Sequence, residues 1–179
     1  MQFFNEHGIC RDDIICLFKE TFTASEGEAE GDLVANLVTG MFDSVAPHDI
    51  HVFTAFDEGK LVGAVIFTRM NFVEDDRTVF ILSPAAVATA RQGEGIGQAL
   101  LSHGIGNLRK IGADVVLTYG DPCFYSKVGF GKITGKLARA PLPLSHPEGW
   151  LGQSLTTETL TPLKGASTCV APLDNQLLW

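Results

Sequence analysis

Between Thr78 and Ile111 the chain passes from an apolar run, through three glycines, into an amphipathic helical pattern. Thr78 to Ala88, TVFILSPAAVA, is rich in β-branched and aromatic residues and reads as a buried strand. Ile96, Leu100, Leu101, Ile105, Leu108 and Ile111 recur at helical spacing. Gly93, Gly95 and Gly97 lie between the two patterns. A strand that turns directly into a helix implies a mixed α/β fold. It also implies an anion site, because the first N–H groups of a helix lack intrahelical partners and carry partial positive charge. Glycines allow positive φ and a close approach of backbone to phosphate. A glycine-rich turn with no ligand is the bland alternative.

Spacing separates the phosphate-binding motifs. A dinucleotide fingerprint needs a third Gly or Ala, but Gln98 or Leu100 stands there in the two possible registers. A phosphate loop ending in Gly-Lys-Ser/Thr is absent. What remains is Gln92-Gly93-Glu94-Gly95-Ile96-Gly97, a Q-x-x-G-x-G pattern. One helix and one strand later comes Gly120-Asp121-Pro122, which opens a short helix, then Phe124-Tyr125-Ser126-Lys127-Val128-Gly129-Phe130. Together, in this order, the two elements resemble the acyl-CoA loop and the F-Y-x-x-x-G-F element of the GNAT superfamily of N-acetyltransferases. The resemblance covers roughly residues 1 to 134. It is nearest to a bacterial subgroup with Gly-Asp-Pro before the Phe-Tyr. The segment after about residue 135 has no match.

The resemblance implies an α/β (α+β mixed) fold of a single domain, residues 1–179. Its central, mostly antiparallel sheet would splay between strands 4 and 5 and be flanked by helices. Acetyl-CoA would be the cosubstrate, with no metal. Backbone N–H groups of Gly93, Glu94, Gly95, Ile96, Gly97 and Gln98 would hold the pyrophosphate, Gln92 would contribute N–H bonds from its backbone or its side chain, and the Glu94 side chain should point into water. Ala86, Val87 and Ala88 match the strand edge that pairs with the pantetheine amides. A bulge near Ser83-Pro84 would free an N–H to polarise the thioester carbonyl; an irregular strand end is the other reading of Pro84. Tyr125 would be the general acid for the thiolate, since a phenol stays protonated at neutral pH. The acceptor would be a small-molecule or peptide amine that attacks the thioester directly. A CoA-binding sensor or partner module without activity is the alternative.

Several residues keep two readings. Arg91 adds charge for the phosphates or is a solvated loop residue. Asp121 is a base or a helix N-cap. Glu26, Glu28, Glu30 and Asp32 attract an ammonium group or form a solvated charge run. Cys123 precedes Tyr125 by two residues, but no His stands beside it, and a small buried thiol is expected. His7, His48, His51, His103 and His146 show no metal-ligand spacing, and neither do Cys10, Cys16, Cys123 and Cys169.

Composition narrows the partners. A net charge of −8 argues against nucleic acid, and no apolar run reaches the length of a membrane span. The N-terminus lacks a secretory pattern, so a cytoplasmic protein with reduced thiols is expected. A homodimer is compatible with the sequence.

The remaining elements follow from pattern. Gln2 to Phe4 reads as a short strand. Helices start near Asp12 and cover Leu33 to Met41, with Thr23 to Gly31 as a polar loop between them. Ile50 to Ala55 and Leu61 to Phe67 flank a hairpin turn at Asp57-Glu58-Gly59-Lys60. Asn71 to Arg77 is a second turn. Arg109 and Lys110 suit the last turn of the glycine-led helix and Gly112 its cap; for Gly104 and Gly106 inside it the one reading on offer is close packing on the sheet. Val115 to Leu117 is a strand. The prolines at 141, 143 and 147 make an extended connection. Trp150 to Thr157 and Ala166 to Val170 would be two final strands paired with each other.

Overall fold

The computed structural model describes residues 1–5 and 11–179, so His7 and Cys10 lie outside the described residues. The elements run β1 (Gln2–Asn5), α1 (Arg11–Glu26), α2 (Glu28–Ser44), β2 (Ile50–Asp57), β3 (Lys60–Phe72), β4 (Asp75–Val87), α3 (Ile96–Lys110), β5 (Val115–Tyr119), α4 (Pro122–Tyr125), β6 (Gly131–Lys132), β7 (Trp150–Ser154) and β8 (Ser167–Thr168). The strands hydrogen-bond in the order β1-β2-β3-β4-β5-β7-β6, with β8 on β3. β1 with β2, β5 with β7, β6 with β7 and β3 with β8 are antiparallel; β4 with β5 is parallel. The result is the mixed α/β, mostly antiparallel sheet flanked by helices that the sequence implied.

The described residues gather into two compact units: Met1–Phe67 with Pro84–Gly104, and Thr68–Ser83 with Ile105–Trp179. In the first, α1 buries Ile14, Leu17, Phe18 and Thr21, and α2 buries Val34, Ala35, Leu37, Val38 and Met41, each a stripe of helical period. Full burial of a side chain such as Phe18 contributes roughly 1.5–3 kcal/mol. Thr23 to Gly31 is not a loop. α1 continues to Glu26 and α2 starts at Glu28, with only Gly27, at φ 99°, between them. Within the last turn of α1, Ser25 Oγ donates back to Thr21 O and Phe22 O. Glu28 and Glu30 sit in the first turn of α2, where the helix dipole favours acids. A Cβ on Gly31 would stand 2.8 Å from Lys19 O, so the helices cross there backbone to backbone.

The β2–β3 hairpin turns on Glu58 (φ 50°) and Gly59 (φ 77°), as a two-residue primed turn requires. The turn between β3 and β4 is tighter than Asn71 to Arg77, because the strands extend to Phe72 and from Asp75.

In the second unit, β5 is buried from Val115 to Thr118. The final two strands do not pair with each other. β7 is short, lies between β5 and β6, and ends at Ser154, while β8 pairs with β3 through Asn71–Thr168 and Phe72–Ser167. Residues 133 to 146 contain no helix, as the prolines require. Trp150 anchors this part: its Nε1–H donates to Ala138 O at 2.8 Å, and its ring meets Trp179 edge to face at 6.0 Å. Asp75 and Arg77 fasten the loop before β8. Arg77 donates to Asp75 (2.7 and 2.8 Å), Thr161 Oγ1 (2.9 Å) and Pro162 O (2.6 Å), while Lys164 N–H donates to Asp75 Oδ2 (3.1 Å). The guanidinium holds the Asp75 carboxyl well below the usual carboxylate range.

Candidate active site

β4 delivers the chain to the glycine turn. Its parallel ladder with β5 pairs Val79 with Val115 and ends where Leu82 pairs with Thr118, although β4 continues to Val87. Pro84 lies just past the last rung with β5, where its missing N–H interrupts no bond of that ladder. Ala88 N–H donates to Val62 O of β3 (2.9 Å), which removes it from use by a ligand. Val87 O accepts from the Gln92 side-chain amide at 3.1 Å, so Gln92 closes the end of β4 with its side chain.

A 3-10 turn, Thr89–Arg91, leads into the glycines. Gly93 (φ 82°) and Gly95 (φ 80°) both adopt the left-handed conformation, and a Cβ on either would meet no atom within 4 Å. They are exposed and open, not packed against protein. The helical ladder of α3 opens with Ala99 N–H donating to Gly95 O. Among the described residues no acceptor takes the N–H groups of Gly93, Glu94, Gly95, Ile96, Gly97 or Gln98. Ile96 is buried and fixes the helix start, while Gly97 and Gln98 are half-buried. The turn is therefore a set of free donors at the positive end of a 15-residue helix. α3 ends as cleanly as it begins. Gly112 is left-handed (φ 85°), its N–H donates to Arg109 O, and Ala113 N–H reaches back to Leu108 O. Ile111, which completes the apolar pattern, is instead exposed at this cap. Gly104 has a packing reason, since a Cβ there would lie 2.9 Å from the rings of Phe53 and Phe67. Nothing in the structure explains Gly106.

Arg91 is not the solvated loop residue of one of its sequence readings. Its guanidinium bridges Asp57 (3.0 Å) and Glu94 (2.9 Å). Glu94, and then Asp57, raise its pKa further. Glu94 thus does not simply point into water; it is half-exposed and ion-paired.

Tyr125 belongs to the other unit. Asp121 is an N-cap, its Oδ1 accepting from Cys123 N–H at 2.8 Å, and Pro122 occupies the first helical position. Gly120 makes room for the phenol ring: a Cβ there would stand 2.7 Å from Tyr125 Cε2. Gly-Asp-Pro therefore has a local meaning as space, cap and helix start. Phe124 and Phe130 meet the Tyr125 ring edge to face at 5.1 and 5.7 Å. Burial pushes the Tyr125 phenol above its ordinary value, opposed by a hydrogen bond with Thr118 and reinforced by the charge of Asp121. Thr118 is fully buried and donates to Leu82 O at 3.1 Å. After Tyr125 the chain turns on Gly129 (φ 96°), and Gln153 Nε2 donates to Val128 O at 3.1 Å, holding that turn. Cys123 is exposed, against the expectation of a buried thiol.

Asp32 is paired with Lys19 at 2.7 Å, which leaves Glu26, Glu28 and Glu30 at the α1–α2 joint. Glu30 is half-buried, and burial, then the charge of Glu26, raises its carboxyl pKa. His103 stacks on Phe3 and meets Phe53 edge to face. Among the described residues, no three His, Cys, Asp or Glu side chains gather as a metal-binding group, and no helix is long and apolar enough to cross a membrane.

The Acetyltransferase (GNAT) domain family matches residues 48–132, from β2 through both motifs. An N-acetyltransferase of Escherichia coli K12, YjhQ, itself uncharacterised, is 36% identical over 148 residues, covering 80% of this chain and 79% of that protein. The chain belongs to the GNAT family of N-acetyltransferases. Two solved structures share its fold. The GNAT family N-acetyltransferase YhbS from E. coli, in complex with CoA, aligns with a TM-score of 0.83 at 23% identity over 97% of this chain and 92% of that one. A GNAT family acetyltransferase from Brucella melitensis, in complex with acetyl-CoA, aligns at 0.71 and 20% identity over 97% of each chain.

Proposed function

We propose that this GNAT protein transfers the acetyl group of acetyl-CoA to a primary amine by direct attack. The single observation that carries the reading is the run of six unpartnered N–H groups from Gly93 to Gln98 at the exposed start of α3. Such donors suit a pyrophosphate. The fold is shared with proteins solved with CoA and acetyl-CoA bound. In this reading the loop holds the pyrophosphate through backbone N–H groups. β4 past Leu82 offers Ala86 and Val87 to the pantetheine arm, with Val87 O exchanging Gln92 for a ligand amide. The neutral amine attacks the thioester carbonyl, the C–S bond breaks, and Tyr125 gives its proton to the departing thiolate. The raised phenol pKa keeps that proton in place at neutral pH.

The acceptor is a small-molecule or peptide amine. Glu26, Glu28 and Glu30 support a cationic one, since they offer negative charge that Asp32, paired with Lys19, does not. The test is release of free CoA thiol from acetyl-CoA across a panel of amines. Amine-dependent release supports transfer. Tight CoA binding with no turnover on any amine would favour a sensor or partner module.

A further inference from the structure

Arg91 closes the 3-10 turn before the glycines, and its polar atoms are directed at two carboxylates. Nε donates to both Glu94 oxygens at 3.1 and 3.0 Å, and Nη2 lies 2.9 Å from Glu94 Oε2 and 3.0 Å from Asp57 Oδ2. Asp57 ends β2, and its other oxygen meets the Met1 ammonium at 3.2 Å. The anchor for Arg91 thus lies on the sheet and not in the loop.

Glu94 is the one acid between Gln92 and Gln98. Glycines flank it on both sides, so no neighbouring side chain steers it. A free carboxylate at this place has a strong local alternative. Side-chain oxygens at a helix start accept from its orphan N–H groups, and acids there are favoured by the dipole. Glu94 would then occupy donors that a phosphate needs and add like charge beside it.

We propose that Arg91 is a positioning residue: held by Asp57, it keeps the Glu94 carboxylate off the N–H groups of Gly93 to Gln98, rather than contacting the pyrophosphate itself. This rests on the reading of the loop as the CoA site. It makes the loop's affinity depend on a pair of charges that cancel.

A double-mutant cycle of charge-neutralising substitutions tests it, with CoA binding measured by calorimetry for wild type, Arg91→Gln, Glu94→Gln and the double variant. Arg91→Gln should weaken CoA by about three- to tenfold, the effect of one misplaced charge at a helix start. Glu94→Gln should bind at least as well as wild type. The double variant should return to within about twofold of Glu94→Gln, since coupled residues are non-additive. Asp57→Asn should weaken CoA in the same direction as Arg91→Gln. The penalty of Arg91→Gln should shrink as salt is raised, because these groups are half-exposed. In turnover, KM for acetyl-CoA should rise while kcat holds. A double variant as weak as Arg91→Gln would show direct contact with the ligand and overturn the proposal, as would an Arg91→Gln protein that binds like wild type. Wild type that fails to bind CoA would instead remove the loop assignment itself.

Discussion

Tyr125 is placed by subtraction as much as by contact. Gly120 supplies the space for its ring, Phe124 and Phe130 wall it, and burial raises its pKa. Tyr125→Phe keeps the ring and removes the proton. Steady-state kinetics should show kcat falling by about 10²–10⁴-fold, the usual size of a general-acid contribution, with little change in KM for acetyl-CoA. The pH profile follows from the sign of the shift. A proton donor is lost as pH rises through its pKa, so a Tyr125-dependent loss of rate should lie above the ordinary phenol value of about 10. Sequence pattern singles out Tyr125 as the candidate acid, and its N-cap alternative for Asp121 is what the structure shows. That pattern gave no sign that Asp57 anchors Arg91, because a pairing between residues distant in sequence leaves no periodic trace. Cys123 is exposed where a buried thiol is expected, because the short helix that carries it buries none of its residues fully.

At the scale of elements, α3 carries two glycines with opposite consequences. Gly104→Ala forces a Cβ against Phe53 and Phe67, and overpacking of this kind costs roughly 1–3 kcal/mol. Gly106→Ala meets open space and should stabilise by up to about 1 kcal/mol, the helix preference of Ala over Gly. Thermal melts should therefore move in opposite directions for the two variants, by about 2–4 °C per kcal/mol in a chain of this size. Helix, hairpin and strand positions were legible because their apolar residues keep a strict period. The run from Thr23 to Gly31 was not. Its polarity reads as loop, yet α1 and α2 run through it, with Gly27 as the break between them. The buried faces of the two helices, and the close crossing at Gly31, outweigh local composition.

For the whole molecule, the tail is the part that pattern could not place. β8 is two residues long and pairs with β3, far from it in sequence, through contacts that no local signal encodes. Asp75 and Arg77 fix the loop leading to it, and they make stability depend on pH. Asp75 has a depressed folded-state pKa, so its contribution is fully present above the unfolded value of about 3.9 and fades as pH falls through the folded one. The gap in Tm between wild type and Asp75→Asn should be wide at neutral pH and narrow steadily below about pH 4. Thermal scans across that range check it; a gap independent of pH would mean that the carboxylate charge contributes nothing. Ligand should act on the same observable: acetyl-CoA at 100 times its Kd should stabilise by about 2.7 kcal/mol.

Gly27 leaves no slack between α1 and α2. A joint of one residue cannot drape over a molecule arriving at Glu28 and Glu30, nor reshape itself to suit a different one. On the proposed reading, an amine that approaches there meets a rigid template. Selectivity at this end of the protein is then a matter of fit that exists before binding, and exchanging one amine for another would require new side chains on the helices, not a new loop between them.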